Sequence, residues 1–249
     1  MTINQAAEIV SRAVDSRQKM RAVFCTAHMI IDSQSNPHLK AAVNSSGIVA
    51  TDGMPLVWLS RLKGAQSIER VYGPDAMLAF AEHGLQQGWR HFFYGGTPKS
   101  AEALQTRLQS KFPGLVVAGT YAPPFRPLTE DEKQDIVDQI NRTKPDLIWV
   151  GLGMPKQELW SAEFQARLDA PVILAVGAAF DFHAGVIRQA PYWMQRSGTE
   201  WLFRLVQEPR RLWRRYLLGN SRFLWLLVKE WLHRPKAPYE TLEGDSRAA

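Results

Sequence analysis

Five places in this chain put polar residues or glycines where an apolar run stops: Thr26, Thr51-Asp52-Gly53, Gly95-Gly96, Gly151-Leu152-Gly153, and Gly177 to Asp181. Asp52 carries the most direct chemistry. A carboxylate at the end of an apolar run can accept the proton of a bound hydroxyl. Thr51 and Asp52 can equally cap the apolar helix that follows, with Pro55 in its first turn. Both roles fit if Thr51 caps and Asp52 stays open. Gly95-Gly96-Thr97 and Gly151-Leu152-Gly153 are turns with little side chain, which can present backbone N–H groups to phosphate or ribose oxygens. They also suit a tight turn without ligand, and neither is a complete dinucleotide fingerprint or a P-loop. Lys156-Gln157-Glu158 opens a helix with groups that can reach a nucleotide or simply face water. Asp181, set among apolar neighbours in AAFDFHAG, needs hydrogen-bond partners. The six histidines show no ligand spacing, so no metal site is expected. Cys25 reads as an ordinary buried strand cysteine rather than half of a thiol site with His28.

A second concentration of chemistry lies late in the chain. Lys and Arg balance Asp and Glu at 18 each over residues 1–185, exceed them by 11 to 3 over 186–236, and trail them by 1 to 3 over 237–249. The basic segment also holds Trp193, Trp201, Trp213, Trp225 and Trp231. Cations beside indoles suit phosphates and a membrane interface. On a helical wheel from Arg210, Arg210, Arg214, Arg211 and Arg215 fall at about 0, 40, 100 and 140°. Leu212, Tyr216, Trp213 and Leu217 occupy the opposite arc. Pro209 is expected to start this helix and Gly219 to end it, with a second, mostly apolar helix over 222–233. Packing on the core is one explanation of the apolar arc, and partial insertion into a bilayer face is the favoured one. A nucleic-acid module is the alternative use of an Arg/Trp-rich end. It is disfavoured by the apolar arc and by the lack of a nucleic-acid-binding signature. A nicotinamide oxidoreductase is disfavoured by the incomplete glycine pattern.

The elements that position these groups alternate along the chain. Strands are expected at 22–26, 48–50, 91–94, 115–121, 147–150 and 172–176. Helices are expected at 4–17, 36–44, 55–63, 75–88, from Pro98 to Lys111, at 129–143 and at 156–168. Such alternation implies right-handed crossovers, a mainly parallel sheet and an α/β fold. Ligands in such folds gather at the carboxyl ends of the strands, where the five chemical places above lie. An α/β core over 1–195, a basic helical appendage over 196–236 and a disordered polar tail over 237–249 are the expected divisions.

With 249 residues, 45% of them hydrophobic, the chain can bury one sizeable core. A single cysteine fits a reducing compartment, the first residues are too polar for a secretory signal, and no apolar run is long enough to span a bilayer. A cytoplasmic protein, soluble or held peripherally at the inner membrane face, is the expectation.

The blocks TDGMPLVW, ERVYGPD, FFYGGTPKSAE, GLGMPKQELW, AVGAAFDFHAG and APYWMQRSGTEWLFRLVQEPRRLWRRY occur in this order. Together, from about Ala22 to Tyr216, they closely resemble the WecG/TagA/CpsF glycosyltransferases. The resemblance implies a metal-independent, inverting enzyme without a cofactor. It would move a sugar from a nucleotide donor, usually a UDP-sugar, onto a polyprenyl-diphosphate-linked sugar in surface-polysaccharide assembly. It also implies a Rossmann-like core whose C-terminal appendage docks on the membrane. By motif, Asp52 resembles the base and Thr26 its neighbour at the first strand's end. Arg70 resembles a pocket arginine near the donor, and Gln157 a nucleotide contact. Arg204, Arg211 and Arg214 match appendage arginines that reach diphosphates. Ala27 and His28 depart from the proline and asparagine usual after that threonine.

Overall fold

A computed structural model describes residues 1–232; the expected polar tail lies outside the described residues. Six strands, β1 (Met20–Cys25), β2 (Ile48–Thr51), β3 (Arg90–Gly95), β4 (Val116–Tyr121), β5 (Leu147–Gly151) and β6 (Val172–Ala175), form one sheet in the order β2-β1-β6-β5-β3-β4. Every pairing is parallel. The six runs therefore end on one side of the sheet, as the strand–helix alternation predicts.

Alternation within each strand sorts side chains to two apolar layers. Ala22 and Phe24 of β1, Phe93 of β3 and Trp149 of β5 face helices α1 (Ile3–Asp15), α5 (Gly73–Gln87), α6 (Pro98–Lys111) and α9 (Ala179–Ala184). On the other side, Phe92, Tyr94, Ile148 and Ile173 pack on α7 (Glu130–Arg142) and α8 (Lys156–Phe164). Val23, Cys25 and Ala175 pack on α2 (Ala27–Ser35), α3 (Pro37–Asn44) and α4 (Met54–Leu62). Local caps fix where several helices begin. Thr97 and Thr129 each accept from the backbone three residues on and close capping boxes.

The C-terminal region adds α10 (Tyr192–Arg196), α11 (Glu200–Gln207) and α12 (Pro209–Leu232). Contrary to the expectation of two helices parted at Gly219, α12 runs unbroken for 24 residues. Gly219 sits at a close approach: a Cβ there would lie 3.3 Å from His28 Nδ1 on α2. Burial of Leu212, Gly219 and Phe223 along one stripe outweighs the ~1 kcal/mol helix penalty of a glycine. Lys63, the C-cap of α4, pairs with Glu230 near the far end of α12. The helix thus lies along the core rather than projecting from it. A second difference is α2, which starts directly after Thr26 and was not anticipated.

Candidate active site

A cleft of about 1430 Å³ lies over the carboxyl ends of the strands, between the core and α10–α12. Thr26, Asp52, Arg70, Asp181, Gln195, Glu200, Arg204 and Arg215 all reach its wall, so groups far apart in sequence converge there.

Asp52 is neither a cap nor the partner of a cap. Gly53 occupies the N-cap of α4 without a side-chain bond, and the Thr51 hydroxyl donates to the Glu69 carbonyl at 2.7 Å. The expected division of labour is therefore half right: Asp52 is open, and Thr51 is engaged elsewhere. The Asp52 side chain is 18% exposed. Burial pushes its carboxyl up to about 7; Arg70 and Arg204 pull it down, while Glu200 and Asp75 push it further up. A carboxylate in that range is poised to exchange a proton near neutrality.

Arg70 organises this end of the cleft. Its Nε donates to the Asp52 carbonyl at 2.6 Å, its Nη1 to Gln195 at 3.3 Å and its Nη2 to Glu200 at 2.5 Å. The guanidinium carbon sits 3.9 Å from the Tyr72 ring centre, and the Tyr72 hydroxyl donates to the other Glu200 oxygen at 2.8 Å. Thr26 caps α2 by accepting the Met29 N–H at 3.3 Å while facing the cleft.

The glycine turns do not form the phosphate cradle that their sequence suggests. Gly96 N–H donates to the Gly151 carbonyl, Thr97 N–H to the Ser100 hydroxyl, and Gly153 N–H to Gln157 Oε1. These amides are consumed inside the protein. A Cβ on Gly95 would lie 2.5 Å from the Gly151 carbonyl oxygen, and one on Gly151 would meet the Phe180 ring at 2.5 Å. Gly95 does not reach the cleft wall, whereas Gly96, Gly151 and Gly153 do. Close packing explains Gly95 and Gly151, whereas Gly153 meets no such contact and serves its φ of +76°.

Gln157 lines the cleft but is locked, with its amide donating to Glu158 Oε1 and to the Ala175 carbonyl and its oxygen accepting from Gly153. It braces the β5 and β6 ends. Glu158 is fully buried and off the cleft wall, because α8 turns it inward; burial pushes its carboxyl up to about 7. Lys156 is exposed at the rim. Asp181 reaches the cleft from α9, its carbonyl accepting from Val186 and Ile187.

Of the expected appendage arginines, Arg204 faces the cleft, its guanidinium carbon 5.4 Å from the Phe182 ring centre. Arg214 does not; it is exposed on α12 over Trp213 at 5.1 Å. The Arg211 side chain lies outside the described residues. The cleft receives Arg215 instead, whose charge adds to the burial that lowers His28 and partly offsets the burial that raises Glu158. Arg215 sat at the edge of the cationic arc, next to the buried stripe, and that position was the signal for it. Glu200 and Tyr72 were also missed, because their pairing spans 128 residues and leaves no local pattern. The apolar arc divides as well. Leu212 is buried against the protein, while Trp213, Leu217, Trp225 and Trp231 are exposed. Cys25 is buried, with its thiol pushed up to about 12, which suits packing rather than nucleophilic chemistry.

The sequence matches the family described as glycosyl transferase WecG/TagA/CpsF over residues 1–237. The chain belongs to that family. This WecG/TagA/CpsF protein is therefore a glycosyltransferase, and the cleft joining Asp52 to the appendage arginines is its candidate active site. It is similar to the N-acetylglucosaminyldiphosphoundecaprenol N-acetyl-beta-D-mannosaminyltransferase of Bacillus spizizenii, 29% identical over 202 residues, covering 80% of this chain and 76% of that protein. The protein of the same name from Bacillus subtilis is 29% identical over 188 residues, covering 76% and 71% respectively.

Proposed function

We propose that this glycosyltransferase moves a sugar from a UDP-sugar donor onto a saccharide carried by polyprenyl diphosphate, at the inner face of the cell membrane, without a metal. One observation carries the reading: Asp52, a carboxylate held near neutrality, shares a single cleft with Arg204 and Arg215 from the appendage. The relatives' names specify an N-acetylmannosaminyl group and an N-acetylglucosaminyl-diphospho-lipid acceptor, and an amino sugar transferred to such an acceptor is the reaction class we adopt.

In this reading the acceptor hydroxyl oxygen attacks the anomeric carbon as the bond from that carbon to the diphosphate breaks. The hydroxyl proton passes to Asp52, and UDP leaves with the bonding pair. A single displacement inverts the anomeric centre. Negative charge grows on the departing diphosphate, and guanidinium groups at the cleft wall stabilise it. Arg204 and Arg215 supply those groups, and the Lys156 ammonium at the rim adds a further positive charge.

The outward face of α12 supports the membrane assignment. Trp213, Leu217, Leu224, Val228 and Trp231 share one exposed flank, with Arg214, Arg222 and Lys229 beside them. Indoles and apolar side chains flanked by cations suit the headgroup boundary of an anionic bilayer. No described helix is long and apolar enough to cross a membrane.

The test is a panel of UDP-sugars offered with polyprenyl-diphosphate N-acetylglucosamine in detergent, with and without EDTA. Chelator-insensitive transfer from UDP-N-acetylmannosamine is expected. Absence of transfer from every donor refutes the proposed reaction, and loss of turnover with EDTA refutes metal independence.

A further inference from the structure

The contacts around Arg70 raise a question about Asp52. An arginine beside a carboxylate normally closes on it in a charge-assisted pair, which lowers the carboxylate's proton affinity and occupies its oxygens. Here the ion pair is long and lacks a side-chain hydrogen bond. The Arg70 Nη2 lies 3.7 Å from Asp52 Oδ1 and 2.5 Å from Glu200 Oε2. Glu200 belongs to α11, in the appendage, and its second oxygen takes the Tyr72 hydroxyl. Both of its oxygens are thus engaged by groups of the core.

We propose that Glu200 is a positioning residue: by drawing the Arg70 guanidinium onto its own carboxylate, it keeps that guanidinium from capturing Asp52 and leaves the Asp52 carboxylate open to the cleft. The inference rests on the reading of Asp52 as base. Three features make the arrangement directional. The Arg70 Nε is anchored on the Asp52 backbone carbonyl, so the guanidinium can pivot between the two carboxylates without leaving the site. The Tyr72 ring supports its face throughout. Gln195 holds Nη1 and is itself tied to the Ala190 carbonyl at 2.8 Å. Choice of partner for Nη2 is then the one freedom left, and Glu200 decides it.

The charged and titratable groups facing Asp52 come from four directions. Arg70 and Tyr72 precede α5, Asp75 stands in its first turn, Glu200 and Arg204 come from α11, and the Cys25 thiol ends β1. Among them Glu200 alone both repels the Asp52 charge and sequesters its nearest cation. Docking of α11 therefore sets the strength of the base.

The test uses the full-length protein and two readouts. The Asp52 carboxyl is followed by carbon NMR, identified by its absence in Asp52→Asn, and the acid limb of kcat is measured alongside. In Glu200→Gln, Arg70 closes on Asp52, so the Asp52 midpoint falls by about one pH unit or more. The acid limb moves with it, and kcat at pH 8 drops by about tenfold as the base weakens, with little change in KM. Glu200→Asp keeps the charge and restores most of the wild-type midpoint. A folded Glu200→Gln whose Asp52 midpoint and acid limb match wild type overturns the proposal. If Glu200→Gln fails to fold, Tyr72→Phe decides: it removes the hydrogen bond that holds Glu200 Oε1, so a lowered Asp52 midpoint is expected, and an unchanged one overturns the idea. Full turnover by Asp52→Asn would instead remove Asp52 as base, an outcome distinct from either.

Discussion

Arg70 holds Asp52 by the backbone: its Nε lies 2.6 Å from the Asp52 carbonyl oxygen, while the carboxylate oxygen stays 3.7 Å from Nη2. The guanidinium therefore fixes where Asp52 is without neutralising what it does. Burial then dominates over attraction, and the carboxyl rests near neutrality.

Activity should follow that carboxyl. A base works only when ionised, so kcat/KM is expected to rise as pH increases through about 7 and to level off above it. Stability should move the opposite way. The folded state holds the Asp52 proton more tightly than the unfolded chain, so this contribution is complete below the ordinary carboxylate range. It is lost as pH rises through about 7, by up to roughly 4 kcal/mol. Thermal melts across pH 5–8 should show the decline in wild type and a shallower one in Asp52→Asn. Identical slopes would contradict the shift.

Gly151→Ala should destabilise the fold by roughly 1–3 kcal/mol through collision with Phe180. Phe180→Leu, costly alone, should recover part of that loss when combined with it. Denaturant titration of the four proteins checks the coupling. Strict additivity would mean that the glycine serves something other than this packing.

The two neighbouring arginines of α12 should separate. Arg215→Ala, inside the cleft, is expected to lower kcat by about 10²-fold, the range for losing one donor that stabilises developing charge. Arg214→Ala, on the outer face, should turn over a short, detergent-soluble acceptor much as wild type does. Steady-state kinetics on that acceptor distinguish them, and equal losses would contradict the placement.

Binding to anionic liposomes should weaken with salt, since each surface cation contributes about 1 kcal/mol screened within a Debye length. Trp225→Ala with Trp231→Ala should reduce the salt-resistant remainder, because both indoles are exposed on α12. Flotation assays at two ionic strengths measure this. Unchanged flotation by the double variant would place the membrane contact elsewhere. Binding to single-stranded nucleic acid but not to liposomes would revive the alternative reading of the basic segment.

Much of this architecture was legible in the sequence for a physical reason. Strands largely buried in the sheet read as short apolar runs, and all six were recognised; five of them lead into polar or glycine residues that now line the cleft. That Asp52 and Arg204 would share a cleft was legible through their motifs. Pairing order was not, because β6 inserts between β1 and β5 by contacts far apart in sequence. The same limit hid Glu200 and Tyr72, whose importance lies in meeting Arg70. Gly219 misled because glycine marks both helix ends and close helix contacts, and only the position of His28 decides between them. The turn glycines misled similarly: their amides are consumed by Gly151, Ser100 and Gln157.

The most direct measurement compares wild type with Asp52→Asn in sugar transfer from the UDP-sugar to a polyprenyl-diphosphate acceptor, at pH 8 with both substrates saturating. A loss of roughly 10²–10⁴-fold in kcat is expected, with the variant folded and still binding donor. Turnover equal to wild type would contradict it.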